Sequence, residues 1–202
     1  MKKKYVYIVL TKTNTVLSNL IRLIKHDEYT HASISLDNDL NTMYSFGRKH
    51  AYNPFIGCFV KENLYKGVFG FHDKLKGLVL EVEVTEEQYD KVRQLLYEFI
   101  SNSDNYKYNY LGLINSLFDK ESCCEDRFLC SEFVYYIINK SGIADLDKPR
   151  NLVRPQDLLD IKSVIVFKGN LKNSQIKKYN RNKFTNRYAD MVKRLEELYM
   201  LQ

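Results

Sequence analysis

The chain has 202 residues, of which 45% are hydrophobic, with 16 Tyr, 11 Phe and a formal net charge of +6. This apolar and aromatic content excludes a disordered chain, and the length suits one globular domain with a real core. No run approaches the roughly 18 apolar residues of a membrane span. The apolar run at residues 5–10 follows three lysines but is too short for a secretion signal, so it predicts a first strand.

The N-terminal half of the sequence predicts four strands and two helices. Apolar β-branched runs or strict apolar–polar alternation mark the strands, and apolar residues at helical spacing mark the helices. Thr85, followed by acidic residues and Gln88, is typical of a capped helix start. We predict strands over residues 5–10, 30–36, 42–48 and 77–84, and helices over 15–25 and 85–100. Residues 50–73, rich in Gly, Asn and aromatics, are predicted to be loops and short extended pieces that include a substrate-facing loop.

The C-terminal half predicts helices over residues 106–118 and 129–140, a strand over 163–167 and an amphipathic helix over 184–201. The expected fold class is α+β, with a small antiparallel sheet packed against helices. Residues 1–170 are expected to form one domain. Residues 171–202 are expected to form a basic connection and a C-terminal helix packed on the same domain.

Cys130 lies where the apolar helix over 129–140 should begin. A thiol becomes a useful nucleophile when a helix N-terminus or a neighbouring imidazole stabilises its thiolate. His31 begins an alternating strand, on the face opposite Ala32 and Ile34, where it could act as the partner base. Taken singly, a cysteine on an apolar helix is more often a small core residue, and a histidine at a strand end is usually an ordinary structural residue.

Three short motifs occur in an order that carries more information than any one of them. A Tyr-Thr-His-small-hydrophobic strand comes early, a Cys-Ser-Glu-hydrophobic helix comes late, and an Arg-Pro segment follows it. In this order the chain resembles the circularly permuted branch of the NlpC/P60 superfamily of papain-like cysteine hydrolases, over about residues 5–170. The matching residues are Tyr29-Thr30-His31-Ala32-Ser33-Ile34, Cys130-Ser131-Glu132-Phe133-Val134 and Arg154-Pro155-Gln156-Asp157-Leu158-Leu159.

The resemblance implies that Cys130 is the nucleophile and His31 the general base. The third catalytic residue usually comes from the next strand, which makes Ser45 the candidate if Tyr44 and Phe46 face the core. Many relatives have a more strongly polar residue there, so Ser45 departs from the family pattern. Tyr29 and Ser131 are the expected substrate-binding residues, Tyr29 as a second oxyanion donor beside the helix amides.

Two of these side chains have simpler alternative roles. Tyr29 is also explained as a packing aromatic, and Glu132 as an acidic residue that complements the dipole of a helix first turn. The spacing of Cys123, Cys124 and Cys130 does not match a zinc site, so we expect neither a metal nor another cofactor. Four cysteines without a signal peptide are expected to be reduced thiols in the cytoplasm.

The predicted function is a cysteine hydrolase, amidase- or peptidase-like, that acts on a small peptide or amide through a Cys130 thioester. The alternatives are a lipid acyl hydrolase or acyltransferase of the same fold, and a catalytically silent ligand-binding module. Residues 162–187 hold eight basic and no acidic residues, which leaves 23 basic against 25 acidic in the rest of the chain. This segment suggests a weak anionic partner, whereas nucleic-acid binding is the less expected explanation.

Overall fold

The structure is a computed structural model that describes residues 3–12, 27–50, 53–122 and 124–173. The helices predicted over 15–25 and 184–201, the basic residues after 173 and Cys123 lie outside the described residues. The described residues form both strands and helices, packed together and with mainly antiparallel strands, which confirms the α+β class. The strands are β1 Lys4–Thr11, β2 His31–Ser35, β3 Met43–His50, β4 Asn53–Glu62, β5 Lys76–Val84, β6 Lys107–Tyr108, β7 Arg127–Phe128 and β8 Val164–Asn170.

Among the described residues, every helix comes after β4 in the chain. They are α1 Gly67–Gly70, α2 Glu86–Ser101, α3 Tyr110–Leu117 and α4 Cys130–Lys140, with short 3₁₀ helices at Ser103–Asn105, Arg150–Leu152 and Pro155–Asp160. The four strands predicted in the N-terminal half and the strand predicted over 163–167 are confirmed within one to three residues at each end.

The eight strands of the described residues belong to one sheet, in the order β7-β6-β4-β3-β2-β1-β5-β8. Every neighbouring pair is antiparallel except β6 and β7, which run parallel. The sheet is larger than the small antiparallel sheet that was expected, and the single parallel pair makes it mixed. The additional strands come mainly from residues predicted to be loops.

β4 was missed because its sequence contains residues that weaken a strand. Pro54 removes a backbone donor, and Gly57 has no side chain to pack. Gly57 is required by its neighbour, because a Cβ atom there would lie 2.7 Å from the Cβ and Cγ atoms of Tyr108. The strand pairs with β3 through a register shift between Arg48 and His50, so alternation alone does not reveal it.

Two apolar clusters cover the two faces of the sheet. The larger contains Ile8, Ile34 and Phe46 from the sheet and Phe133 from α4, and it also includes the buried face of α2. The smaller includes Val9, Met43 and Phe69 on the opposite face. Because side chains alternate along a strand, β2 sends Ala32 and Ile34 into the larger cluster while His31, Ser33 and Ser35 face the other side.

The local sequence explains where the two long helices begin. At α2, the Thr85 side chain accepts from the Gln88 backbone N–H and the Gln88 side chain accepts from the Thr85 N–H, which confirms the predicted capping box. At α4, the first helical residue is Cys130. The helix predicted over 106–118 begins later, at Tyr110, because Lys107 and Tyr108 pair with strands on both sides.

Candidate active site

Cys130 and His31 meet although they come from distant parts of the chain. Cys130 is the first residue of α4 and is 8% exposed, and His31 is the first residue of β2. The Cys130 thiol is close enough to the His31 imidazole to help raise the pKa of the ring. The structure thus brings together the thiol and the ring that the sequence identified as nucleophile and base.

Glu62, the last residue of β4, contacts the same imidazole. His31 Nε2 lies 2.9 Å from Glu62 Oε1 and 3.2 Å from Oε2, and each of the two side chains is 13% exposed. Ser33 donates its hydroxyl to Glu62 Oε2 at 2.5 Å and lies 3.4 Å from His31 Nε2. The carboxylate is therefore held by a neighbour on the same strand as the histidine.

The negative charge of the Glu62 carboxylate affects the pKa of the His31 imidazole. Burial of the ring disfavours its charged form, but the negative charge of Glu62 and the interactions with Cys130 and Glu62 oppose this effect. Together they hold the pKa of His31 well above its ordinary value. The site therefore favours an imidazolium next to the thiol and the carboxylate.

Ser45 occupies the predicted face but makes a different contact. Tyr44 and Phe46 pack on the larger core cluster. Because side chains alternate along a strand, Ser45 therefore lies on the same face of the sheet as His31. Its hydroxyl, however, donates to the Ala32 carbonyl at 2.6 Å and is fully buried. The polar group against the imidazole is Glu62, one strand further on, instead of Ser45.

Tyr29 lies in the larger core cluster, with its hydroxyl beside the charges of Glu28 and Lys168. The pKa of the Tyr108 hydroxyl is affected by the Cys130 thiol. Burial raises the pKa of Tyr108, and the negative charges of Cys130, Tyr110 and Glu132 raise it further. The raised pKa keeps the Tyr108 hydroxyl protonated, as a hydrogen-bond donor must be.

The two residues after Cys130 have structural partners. Ser131 donates its hydroxyl to the Val153 carbonyl at 2.6 Å. Glu132 is fully buried, and its Oε2 accepts from the Leu129 N–H at 3.0 Å and from Asn109 Nδ2 at 3.2 Å. The Ser131 hydroxyl is therefore bonded within the protein. Glu132 binds groups at the starts of two helices in addition to complementing the dipole of α4.

Glu62 and Tyr108 are the residues that sequence reasoning missed. Glu62 ends a strand whose Pro and Gly concealed it. Tyr108 was assigned to a helix, and its two-residue strand is too short to show a period. Both become adjacent to the dyad only through strand pairing.

Neither a metal site nor a membrane-spanning helix is present in the described ranges. Among residues 3–12, 27–50, 53–122 and 124–173, no cluster of three His, Cys, Asp or Glu side chains is suited to hold a metal ion. Over the same residues, every helix is too short or too polar to cross a bilayer. Comparisons of the chain with protein-family models, with curated proteins and with solved structures find no match.

Proposed function

We propose that the protein is a cysteine hydrolase, amidase- or peptidase-like, that cleaves its substrate through a thioester on Cys130. The observation that carries the proposal is the position of the His31 imidazole, which lies 2.9 Å from Glu62 Oε1 and whose pKa the Cys130 thiol helps to raise. A nucleophile, a base and a group that orients the base are the parts that such chemistry requires. The resemblance of the three sequence motifs to permuted NlpC/P60 hydrolases is an independent support.

In the first half of the reaction, His31 holds the proton of the thiol while the Cys130 sulfur attacks the substrate carbonyl carbon. A carbon–sulfur bond forms and the carbonyl oxygen becomes an oxyanion. The carbon–nitrogen bond then breaks as the imidazolium returns its proton to the leaving amine. Glu62 stabilises the imidazolium throughout this half, because its carboxylate is 2.9 Å from Nε2.

In the second half, His31 takes a proton from water, whose oxygen attacks the thioester carbonyl carbon. The carbon–sulfur bond breaks, the acid product leaves, and the proton returns to the sulfur. The backbone N–H groups of Cys130 and Ser131 lack partners within α4, as in any helix first turn, and are suited to hold the oxyanion. Tyr108 is the proposed side-chain donor to the same oxygen.

A lipid acyl hydrolase or acyltransferase is the second candidate, favoured by the surface of α3. Leu111, Ile114 and Phe118 are 73%, 53% and 71% exposed, at the spacing of one helix face. An apolar stripe of this size is unusual on a surface. It follows Tyr108 directly in the chain, so an acyl chain bound at Cys130 could extend along it.

The catalytically silent alternative was motivated by Ser45, which is a weak partner for an imidazole. Glu62 supplies a charged partner in its place, which supports an active dyad.

The basic segment at 162–187 lies mostly outside the described residues, and within the described part Lys168 contacts Glu28 at 3.5 Å.

Incubation with 4-nitrophenyl acetate, followed by mass analysis of the intact protein and its peptides, tests the proposal. We expect an acetyl group on Cys130 in the wild type, none there in Cys130→Ala, and much slower acetylation in His31→Asn. Cys58→Ala is the matched control, since Cys58 is also a partly buried cysteine outside any disulfide. Equal acylation of residue 130's peptide in the Cys130→Ala variant would exclude the assignment.

The two substrate classes are separated by comparing peptide 4-nitroanilides with 4-nitrophenyl esters of increasing chain length. If the substrate is an acyl lipid, Leu111→Ser should raise KM for long-chain esters and leave KM for the acetate unchanged. Tyr97→Ser, at an equally exposed aromatic of α2, is the control. An unchanged KM for every ester in Leu111→Ser would remove the lipid candidate.

A further inference from the structure

Residues 150–157, here called the brace segment, contact the nucleophile helix on one side. Arg150 Nε donates to Glu132 Oε1 at 2.9 Å, and the other Glu132 oxygen accepts from the Leu129 N–H, directly before Cys130. The Val153 carbonyl accepts from the Ser131 hydroxyl. The first turn of α4 is thus fixed to the brace segment at two points.

The same segment contacts the chain that leads into β2. Arg154 Nη1 donates to Asp27 Oδ1 at 3.1 Å, and Asp27 is only 4% exposed. Gln156 Oε1 accepts from the Glu28 backbone N–H at 3.2 Å. Asp27 and Glu28 immediately precede the stretch that enters the sheet at His31.

Both arginines are themselves held in place. The Arg154 backbone N–H donates to Asp157 Oδ2 at 2.9 Å, and its guanidinium reaches Asp157 Oδ1 at 3.4 Å. Arg150 lies over the Phe128 ring, 4.5 Å from its centre, and also donates to the Cys124 carbonyl. A planar guanidinium held by two partners fixes the distance between those partners more tightly than a flexible lysine would.

We propose that the brace segment positions His31 against Cys130, with Arg150, Arg154 and Gln156 as positioning residues; the inference rests on the proposed function. The two dyad residues lie in different elements, on the sheet and at the start of a helix, so their separation depends on whatever spans the two elements. The brace segment spans them with side chains that are directional and partly buried. Hydrogen-bonded ion pairs of this kind contribute little net stability, but they define geometry.

The test uses a chain in which Cys58, Cys123 and Cys124 are replaced by Ser, so that Cys130 is the only thiol. The measured quantity is the rate of Cys130 alkylation by iodoacetamide at pH 7, which needs no substrate. Because misplacement by about 1 Å costs up to about 100-fold in reactivity, we expect Arg154→Met to react about 10-fold more slowly. Arg93→Met is the matched control, since Arg93 contacts Asp90 at the same 3.1 Å in an exposed pair.

A milder pair of variants covers the case in which Arg154→Met fails to fold. Gln156→Leu removes the acceptor for the Glu28 N–H, whereas Gln156→Glu retains it. We expect alkylation to slow about 3-fold in the Leu variant, the rate effect of losing one hydrogen bond of roughly 0.6 kcal/mol, and to recover in the Glu variant. Circular dichroism spectra and melting curves establish that each variant is folded.

His31→Asn separates failure of this inference from failure of the proposed function. If His31→Asn leaves the alkylation rate unchanged, the dyad itself is wrong. If His31→Asn slows alkylation while folded Arg154→Met and Gln156→Leu both keep the wild-type rate, the dyad stands and the positioning role of the brace segment is wrong.

Discussion

Glu62 sets the charge of the imidazole at the scale of single residues. Its negative charge is the main influence that raises the pKa of His31 against the opposing effect of burial. Glu62→Gln removes the charge and keeps a hydrogen-bonding oxygen. We expect the pKa of His31 to fall in this variant, as measured by NMR titration of the labelled ring.

Ser45→Ala is the control for that titration. The Ser45 hydroxyl is bonded to the Ala32 carbonyl, so its loss should leave the pKa of His31 unchanged while reducing stability by about 1 kcal/mol. A fall in the pKa of His31 in Ser45→Ala and none in Glu62→Gln would reverse the roles of the two side chains.

Gly57 is a position at which one methyl group has a large effect. A Cβ atom at Gly57 would lie 2.7 Å from Tyr108, whereas one at Gly47 would meet its nearest neighbours at 3.6 Å, an ordinary contact. We expect Gly57→Ala to destabilise the protein by about 1–3 kcal/mol through overpacking. Gly47→Ala should cost clearly less in the same urea denaturation experiment.

The sequence was sufficient for the residues that have a local signature. Cys130 and His31 were proposed as a pair because the short motifs around them resemble, in their order along the chain, those of permuted NlpC/P60 hydrolases. Glu62 was not, because only the pairing of β4 with β3 and β3 with β2 places its carboxylate next to His31. A residue whose role depends on partners in two other strands leaves no pattern in its own segment.

At the scale of secondary-structure elements, Glu132 joins α4 to the start of α3. Its carboxylate binds Asn109, Arg150 and the Leu129 N–H inside the protein. Glu132→Ala leaves Arg150 without its buried partner, so we expect a loss of about 3–5 kcal/mol in the free energy of unfolding.

Glu132→Gln is the matched variant for this element. The amide oxygen still accepts from a backbone N–H, so the loss should be smaller than in Glu132→Ala. Urea denaturation followed by circular dichroism measures both values. A loss below about 1 kcal/mol in Glu132→Ala, the ordinary effect of a surface change, would contradict a buried structural role.

The regularity of the local sequence, and not length, decided which elements were predicted, since the ten-residue strand β4 was missed. The capped helix α2 and strands β1, β2 and β5 have clear periods and were found. The two-residue strands β6 and β7 are defined only by their pairing with other strands. Because β6 occupies Lys107 and Tyr108, α3 begins later than predicted. Short elements of this kind are defined by tertiary contact, and no local propensity encodes them.

At the scale of the whole molecule, the raised pKa of His31 links stability to pH. The unfolded ring titrates near its ordinary value of 6.5, and the folded ring titrates well above it. The stabilisation is therefore fully present below about pH 6.5 and is lost as the pH rises through the folded-state pKa. We expect the unfolding free energy to fall over that range in the wild type.

His31→Asn provides the reference for this pH dependence, because all other titrating groups remain. The difference in unfolding free energy between the two proteins should shrink as the pH rises from 6.5 towards the folded-state pKa of His31. A difference that stays constant or grows across this range would show that the imidazole is not stabilised in its charged form.

The order of strands in the sheet also determines when the site can form. β1 pairs with β5 from Lys4 opposite Val84, and β5 in turn pairs with β8 from Lys76 opposite Asn170. Such long-range pairings make folding slow, on the scale of milliseconds to seconds. During synthesis the histidine strand emerges first, the thiol much later and the brace segment last. The site therefore cannot assemble until nearly all of the described residues have been made.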